Sequence, residues 1–278
     1  MTIFGLGKRG EFERRMETIQ LSEPDIQTRP SFLCDRSVVH QVQRMASHLN
    51  ACGSTQVRTN LAQLICEKAP TTANLELKTF SGCAINEDPG RYTDLDDIGR
   101  NVLWDREECL RRGAAHDLRT NLDCMDQRFP AGWRNAVYRA WDDRLFLRNS
   151  DRGHHFAAAR WHSILDKTPC TLDFHVTTLT INGSALEALS AYSLFLMDRS
   201  SARSVFQTIL SMDADSDVEL VEPQVHCDKN SVLGFRDGWF SEPLHELAGS
   251  HSTSVFQLSA HLEDLESAQR ANLASRPW

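Results

Sequence analysis

The sequence contains no run of apolar residues near the ~20 needed to span a bilayer, which argues against a membrane-embedded chain. Its start, Met1-Thr2-Ile3-Phe4-Gly5-Leu6-Gly7-Lys8-Arg9, lacks the long apolar stretch of a signal peptide, so a cytoplasmic protein is expected. The eight cysteines are dispersed, with no C-x-x-C pair. Neither a zinc knuckle nor a thioredoxin-like motif is therefore encoded, and buried reduced thiols are the expectation. Also missing are G-x-x-x-x-G-K-[ST], G-x-S-x-G and a convincing G-x-G-x-x-G, which sets aside P-loop, α/β-hydrolase and Rossmann enzymes. Positive charge is in short supply: 30 Lys and Arg stand against 38 Asp and Glu, a net charge of −8. Such a balance argues against a basic protein that coats DNA or an anionic membrane, because both interactions depend on clustered cations.

What is present is the composition of a folded chain. Hydrophobic residues make up 41% of 278 and charged residues 24%, enough to bury a core in one domain or two. No repeat or low-complexity tract appears, and a seam is expected near residue 130. Arginines crowd the stretch from Arg106 to Arg160 with acidic residues interleaved, a pattern that reads as a solvated mixed-charge face.

Residues 1–31 suggest an arm or short helix leading to Pro30. Val38, Val42, Met45 and Leu49 share one helical face, and a second helix is expected over Leu61–Lys68. Asn74–Phe80 alternates like a strand, and 85–128 reads as loops with a short helix near Arg106–Gly113. Trp133, Val137 and Trp141, four apart, suggest a helix. A short strand at Arg144–Arg148, a polar glycine turn and a helix over His154–Asp166 follow. Thr171–Ile181 is the most strand-like stretch, dominated by β-branched and apolar residues. Ser184…Glu187 reads as a capping box opening a helix that continues to Met197. A helix over Ala202–Met212, strands at Asp217–Val221 and Ser254–Leu258 with a turn-rich Gly234–Trp239 between them, and a last helix over Leu262–Ala274 complete the reading. The expected class is α+β: a helix-rich N-terminal portion, 1–130, and a C-terminal portion, 131–278, with a small mixed β-sheet flanked by helices.

One stretch carries chemistry: Asn149-Ser150-Asp151-Arg152-Gly153-His154-His155. A helix start exposes unpaired backbone N–H groups and a partial positive charge, and glycine permits close approach, so a strand, polar turn and helix in this order can cradle a phosphate. Arg152, His154 and His155 would add donors around the anion, and Asp151 is the nearest candidate for a metal ligand or base.

Gly153-His154-His155-Phe156-Ala157-Ala158-Ala159-Arg160 resembles the G-x-H-R-x-A-A segment of the ParB/sulfiredoxin-like superfamily, where it opens a helix and holds a nucleotide phosphate. Phe156 occupies the family's arginine position, or His155 does if the glycine spacing shortens by one; Arg152 or Arg160 would then compensate. The resemblance implies a nucleotide- or phosphate-binding protein, with ATP or another nucleotide held by Arg152, Gly153, His154, His155 and Arg160 and Mg²⁺ offsetting the phosphate charge. Asp151 and His155 would be the catalytic pair in any phosphoryl transfer, nucleotide hydrolysis or nucleic-acid cleavage. Phe80-Ser81-Gly82-Cys83 also resembles the sulfiredoxin cysteine turn, but Ala84-Ile85 follows where His-Arg belongs, and the match is set aside.

Two further chemistries have little behind them. His155 and His162 lie seven apart with His175 on the next strand, whereas helical metal-ligand pairs are three or four apart; no metal ligand is assigned. Glu76-Leu77-Lys78 fits the E-x-K of a metal-dependent nuclease, but that triplet is common by chance. The competing class is a non-enzymatic phage- or plasmid-type accessory protein that binds and inhibits or redirects a host protein, with Gly238-Trp239-Phe240 as an interface anchor. Catalysis and nucleic-acid binding are both left open.

Overall fold

The computed structural model describes residues 3–26, 37–47, 55–83, 92–104, 119, 121–122, 134–148, 153–223 and 229–276. Among them the helices are α1 (Ile3–Met16), α2 (Val38–Ser47), α3 (Gln56–Ala62), α4 (Leu95–Trp104), α5 (Gly153–Leu165), α6 (Gly183–Leu189), α7 (Arg199–Met212), α8 (Ser241–Ser250) and α9 (Leu258–Ser275). The strands are β1 (Ile65–Glu67), β2 (Thr71–Glu76), β3 (Gly82–Cys83), β4 (Asn135–Arg139), β5 (Arg144–Leu147), β6 (Thr171–Ile181), β7 (Ser193–Asp198), β8 (Val218–Val221), β9 (Asn230–Phe235) and β10 (Val255–Gln257). The fold is α+β.

Chain contacts define two compact units, one of residues 1–26, 38–65 and 181–266, the other of 27–37, 66–180 and 267–278. This division differs from a single seam near residue 130. Strand pairing explains why: Thr71 of β2 faces Val176 of β6 and Glu76 faces Thr171, so early and late stretches share one sheet.

That sheet is mixed, in the order β1-β6-β4-β5-β3, with β2 also paired to β6. β4 runs parallel to β6 and antiparallel to β5, and β3 runs parallel to β5. β6 owes its length to an unbroken series of β-branched and apolar residues, whose side chains pack well on a pleated surface. Four of the five residues of β4 are buried, so both of its faces are covered. The helix expected around Val137 and Trp141 is thus a strand followed by a turn. Trp141, 1% exposed, sits in that turn, and Asp143 takes φ 50° to close it. The core of this unit gathers Leu75, Leu77, Phe80, Tyr138, Phe156 and Phe174, with Phe80 edge-on to Phe156 and tilted against Phe174 at centroid distances of 4.9 and 4.8 Å.

The other unit holds an antiparallel sheet ordered β10-β7-β9-β8, with a core around Phe12, Phe195, Val205, Phe235 and Phe240. β7 replaces the second half of the helix expected to reach Met197. Its central residues are all buried, and a short apolar run of this kind has no period that separates strand from helix. The cap of α6 also shifts by two residues: the Asn182 carboxamide accepts from the backbone N–H of Ser184 at 3.1 Å and Ala185 at 3.4 Å, doing what Ser184 was expected to do. Similarly, Leu61–Lys68 is the end of α3 followed by β1, and the Gly234 region is the end of β9. Residues 95–104, read as loop, form α4, while the helix expected near Arg106–Gly113 lies outside the described residues. Phe240, proposed as an exposed anchor, is 2% exposed and packed edge-on against Phe235 and Trp239.

Candidate functional site at the start of helix α5

β5 leads the chain toward the start of α5. Of the residues expected to hold a phosphate, Asp151 and Arg152 lie outside the described residues, as do Asn149 and Ser150. Gly153 is the first residue of α5 and is buried; its carbonyl accepts from the thiol of Cys83, with sulfur 3.9 Å away. This contact comes from the register of the sheet edge, where Gly82 faces Phe146 and Cys83 faces Leu147. The Phe80–Cys83 stretch, set aside on sequence grounds, therefore lies beside the start of α5. Parallel strand pairing between residues this far apart leaves no short-range sequence signal.

His154 is half-buried. His155, in contrast, is 2% exposed, and its Nδ1 lies 3.1 Å from Oδ1 of the fully buried Asn121. With the amide oxygen as acceptor, the ring carries its proton on Nδ1. This imidazole is placed in the core beside Asn121, which suits it to anchoring the first turn of α5. Asn121 was missed by the sequence reading, because nothing in the polar stretch around it distinguishes one amide from another.

Phe156 fills the position where the resembled motif has arginine, and it is fully buried against Phe80. A guanidinium there would be stranded in an aromatic cluster, so the substitution fits the packing. Arg160 lies seven residues beyond Gly153, which is about 10 Å along the helix axis. Its guanidinium pairs with Asp96 of α4 and donates from Nη2 to the Lys78 carbonyl at 3.4 Å. Burial pulls its pKa below the ordinary arginine value, partly offset by the negative charge of Asp94. The described geometry thus groups Gly153 and His154 at the helix start, and commits Arg160 to α4.

α4 and α5 cross closely at Gly99. A β-carbon there would meet the Ala157 carbonyl oxygen at 2.5 Å and Trp161 Cβ at 2.8 Å. Only glycine permits this approach, which holds α5 against α4. Further along, Arg100 lies over the Trp161 ring, 5.1 Å from its centroid.

The other sequence candidates separate. Lys78 Nζ pairs with Glu76 Oε1 at 2.8 Å, a local ion pair within the E-x-K triplet. Nδ1 of His175 lies 3.4 Å from Thr72 Oγ1 across the β2–β6 pair. Among the described residues no three His, Cys, Asp or Glu side chains are gathered in a way that would hold a metal ion. Nor, among them, is any helix long and apolar enough to cross a membrane.

Comparison with known proteins found no match among curated proteins and none among solved structures. Comparison with protein families matched residues 75–231 to one described as a family of unknown function, DUF6685. The match covers more than half of the 278-residue chain and includes β4, β5, the whole of α5, and β6. The chain therefore belongs to the DUF6685 family.

Proposed function

We propose that the chain binds a phosphate-bearing ligand, a nucleotide by class, at the start of α5. The observation that carries this reading is the make-up of the first turn of α5: a glycine leads, a half-buried His154 follows, and no acidic side chain is present. The first four N–H groups of a helix lack intrahelical acceptors, and their partial positive charge favours an anion. His154 and the backbone N–H groups make the contacts, with Arg152 as the cation. His155 acts through the position of the turn rather than by touching the ligand, and Arg160 serves the α4–α5 packing. Asp151 is the available group to hold Mg²⁺ or to orient a water, so any phosphoryl transfer or hydrolysis depends on it.

Thermal unfolding with ATP or CTP, each with and without Mg²⁺, tests the reading. A ligand at a hundred times its dissociation constant stabilises the native state by about 2.7 kcal/mol. The expected result is stabilisation by at least one nucleotide, lost in an Arg152→Ala, His154→Ala double variant whose ligand-free stability is unchanged. Absence of any shift, or a shift that the double variant retains in full, refutes it.

A further inference from the structure

The end of α1, the extended residues after it and α8 enclose a groove of about 460 Å³, within the ~300–1,000 Å³ range of clefts that bind ligands. Its apolar lining comes from Met16, Ile19, Leu21, Pro243 and Leu247. Ile19, Leu21 and Leu247 also pack against the core on their inner sides but remain partly exposed. Around this lining stand Glu13, Glu17 and Glu246. Arg9 spreads one guanidinium over Glu13 at 2.7 Å, Glu246 at 3.2 Å and Glu242. Arg14 and Arg15, in the last turn of α1, pair with Glu11 outside the lining, and His251 also lines the groove; with Arg9 shared by three carboxylates and Glu17 exposed, the lining itself is net negative.

We propose that this groove is a docking site for a basic amphipathic helix of a partner protein. Charge complementarity selects that occupant. Nucleic acid and anionic lipid are repelled by the rim, and a second copy of the chain would bring one acidic rim against another. A helix with apolar residues three and four apart fills the lining, and flanking Lys or Arg residues meet Glu13, Glu17 and Glu246. The inference is independent of the phosphate-binding reading, since all of these residues belong to the other compact unit.

The test uses the full chain and a fluorescein-labelled fourteen-residue Leu/Lys helical peptide (a design length of about two heptads), with a Leu/Glu peptide of the same pattern as its twin. Fluorescence anisotropy should show one Leu/Lys peptide per chain and no binding of the twin. Affinity should fall about tenfold in Leu247→Lys, which places a cation in the lining. Glu17→Gln with Glu246→Gln should weaken binding and flatten its salt dependence, while Glu187→Gln with Glu263→Gln, exposed elsewhere on the same unit, should leave it unchanged. Circular dichroism of each variant checks that it folds. Equal affinity for the two peptides, an equal loss in the control double variant, no loss in Leu247→Lys, or a dimer in sedimentation that Leu247→Lys dissolves would each overturn the proposal.

Discussion

Replacing Gly99 by alanine pits two opposed effects against each other, and the structure says which prevails. In an unobstructed helix the change stabilises by about 1 kcal/mol, because alanine loses less backbone entropy on folding. At Gly99 the new methyl group would stand 2.5 Å from the Ala157 carbonyl oxygen and 2.8 Å from Trp161 Cβ. Ordinary contact starts at 3.4 Å, so α4 and α5 must separate by about 0.9 Å, the difference between 3.4 and 2.5. A flexible side chain would swing aside, but the first obstacle is backbone and the second is rooted in α5. Forcing helices apart in a packed interior costs typically 1–3 kcal/mol, and a rigid obstacle puts this site at the upper end. The net expectation is a loss of about 2 kcal/mol. Gly10→Ala supplies the internal control: Gly10 lies in α1 with nothing within 4 Å of a β-carbon, and its substitution should stabilise by about 0.5–1 kcal/mol. Urea unfolding followed by circular dichroism gives both values, and hydrogen exchange should place the Gly99→Ala loss in α4 and α5. A Gly99→Ala protein as stable as the parent, or more stable, refutes the close-crossing argument.

Restoring the arginine of the resembled motif, Phe156→Arg, should destabilise rather than activate. The residue is fully buried beside Phe80, and an unpaired cation there costs more than 3 kcal/mol, read as loss of soluble protein or of the urea transition; a folded variant of parental stability contradicts the packing described. His261 supplies a pH dependence. Burial pulls its pKa below the ordinary 6.5, with Asp264 opposing, and its ring meets Phe256 at 5.2 Å. The native state therefore prefers the neutral ring. Above 6.5 neither state is protonated and the residue adds no pH dependence; as pH falls below 6.5 the unfolded chain takes up the proton first and stability declines until the folded pKa is passed. Urea midpoints at about pH 7.5 and about pH 5.5 should differ less in His261→Gln than in the parent, and an equal difference counts against the assignment.

The elements legible in the sequence are those whose local signal agrees with their surroundings. β6 was visible from end to end because β-branched residues fill it, and α5 because a polar glycine stretch of sequence precedes an apolar series. β4 and β7 were hidden for one shared reason. Each buries nearly all of its residues, so both faces are covered and the alternation that marks a half-exposed strand is lost. The same physics governs the candidate site. Gly153 and His154 were legible because helix starts have a local grammar of turns and caps. The burial of His155 beside Asn121, the contact of Cys83 with Gly153 and the glycine crossing at Gly99 were not, since each depends on which distant segment the sheet and helices bring alongside. In this molecule short-range chemistry places the start of α5, while long-range packing decides which side chains of its first helical turn face away from the core. That division separates His154 from His155: adjacent in sequence and equal in chemistry, they differ in that α5 carries one into contact with Asn121 and leaves the other half-buried at its first turn.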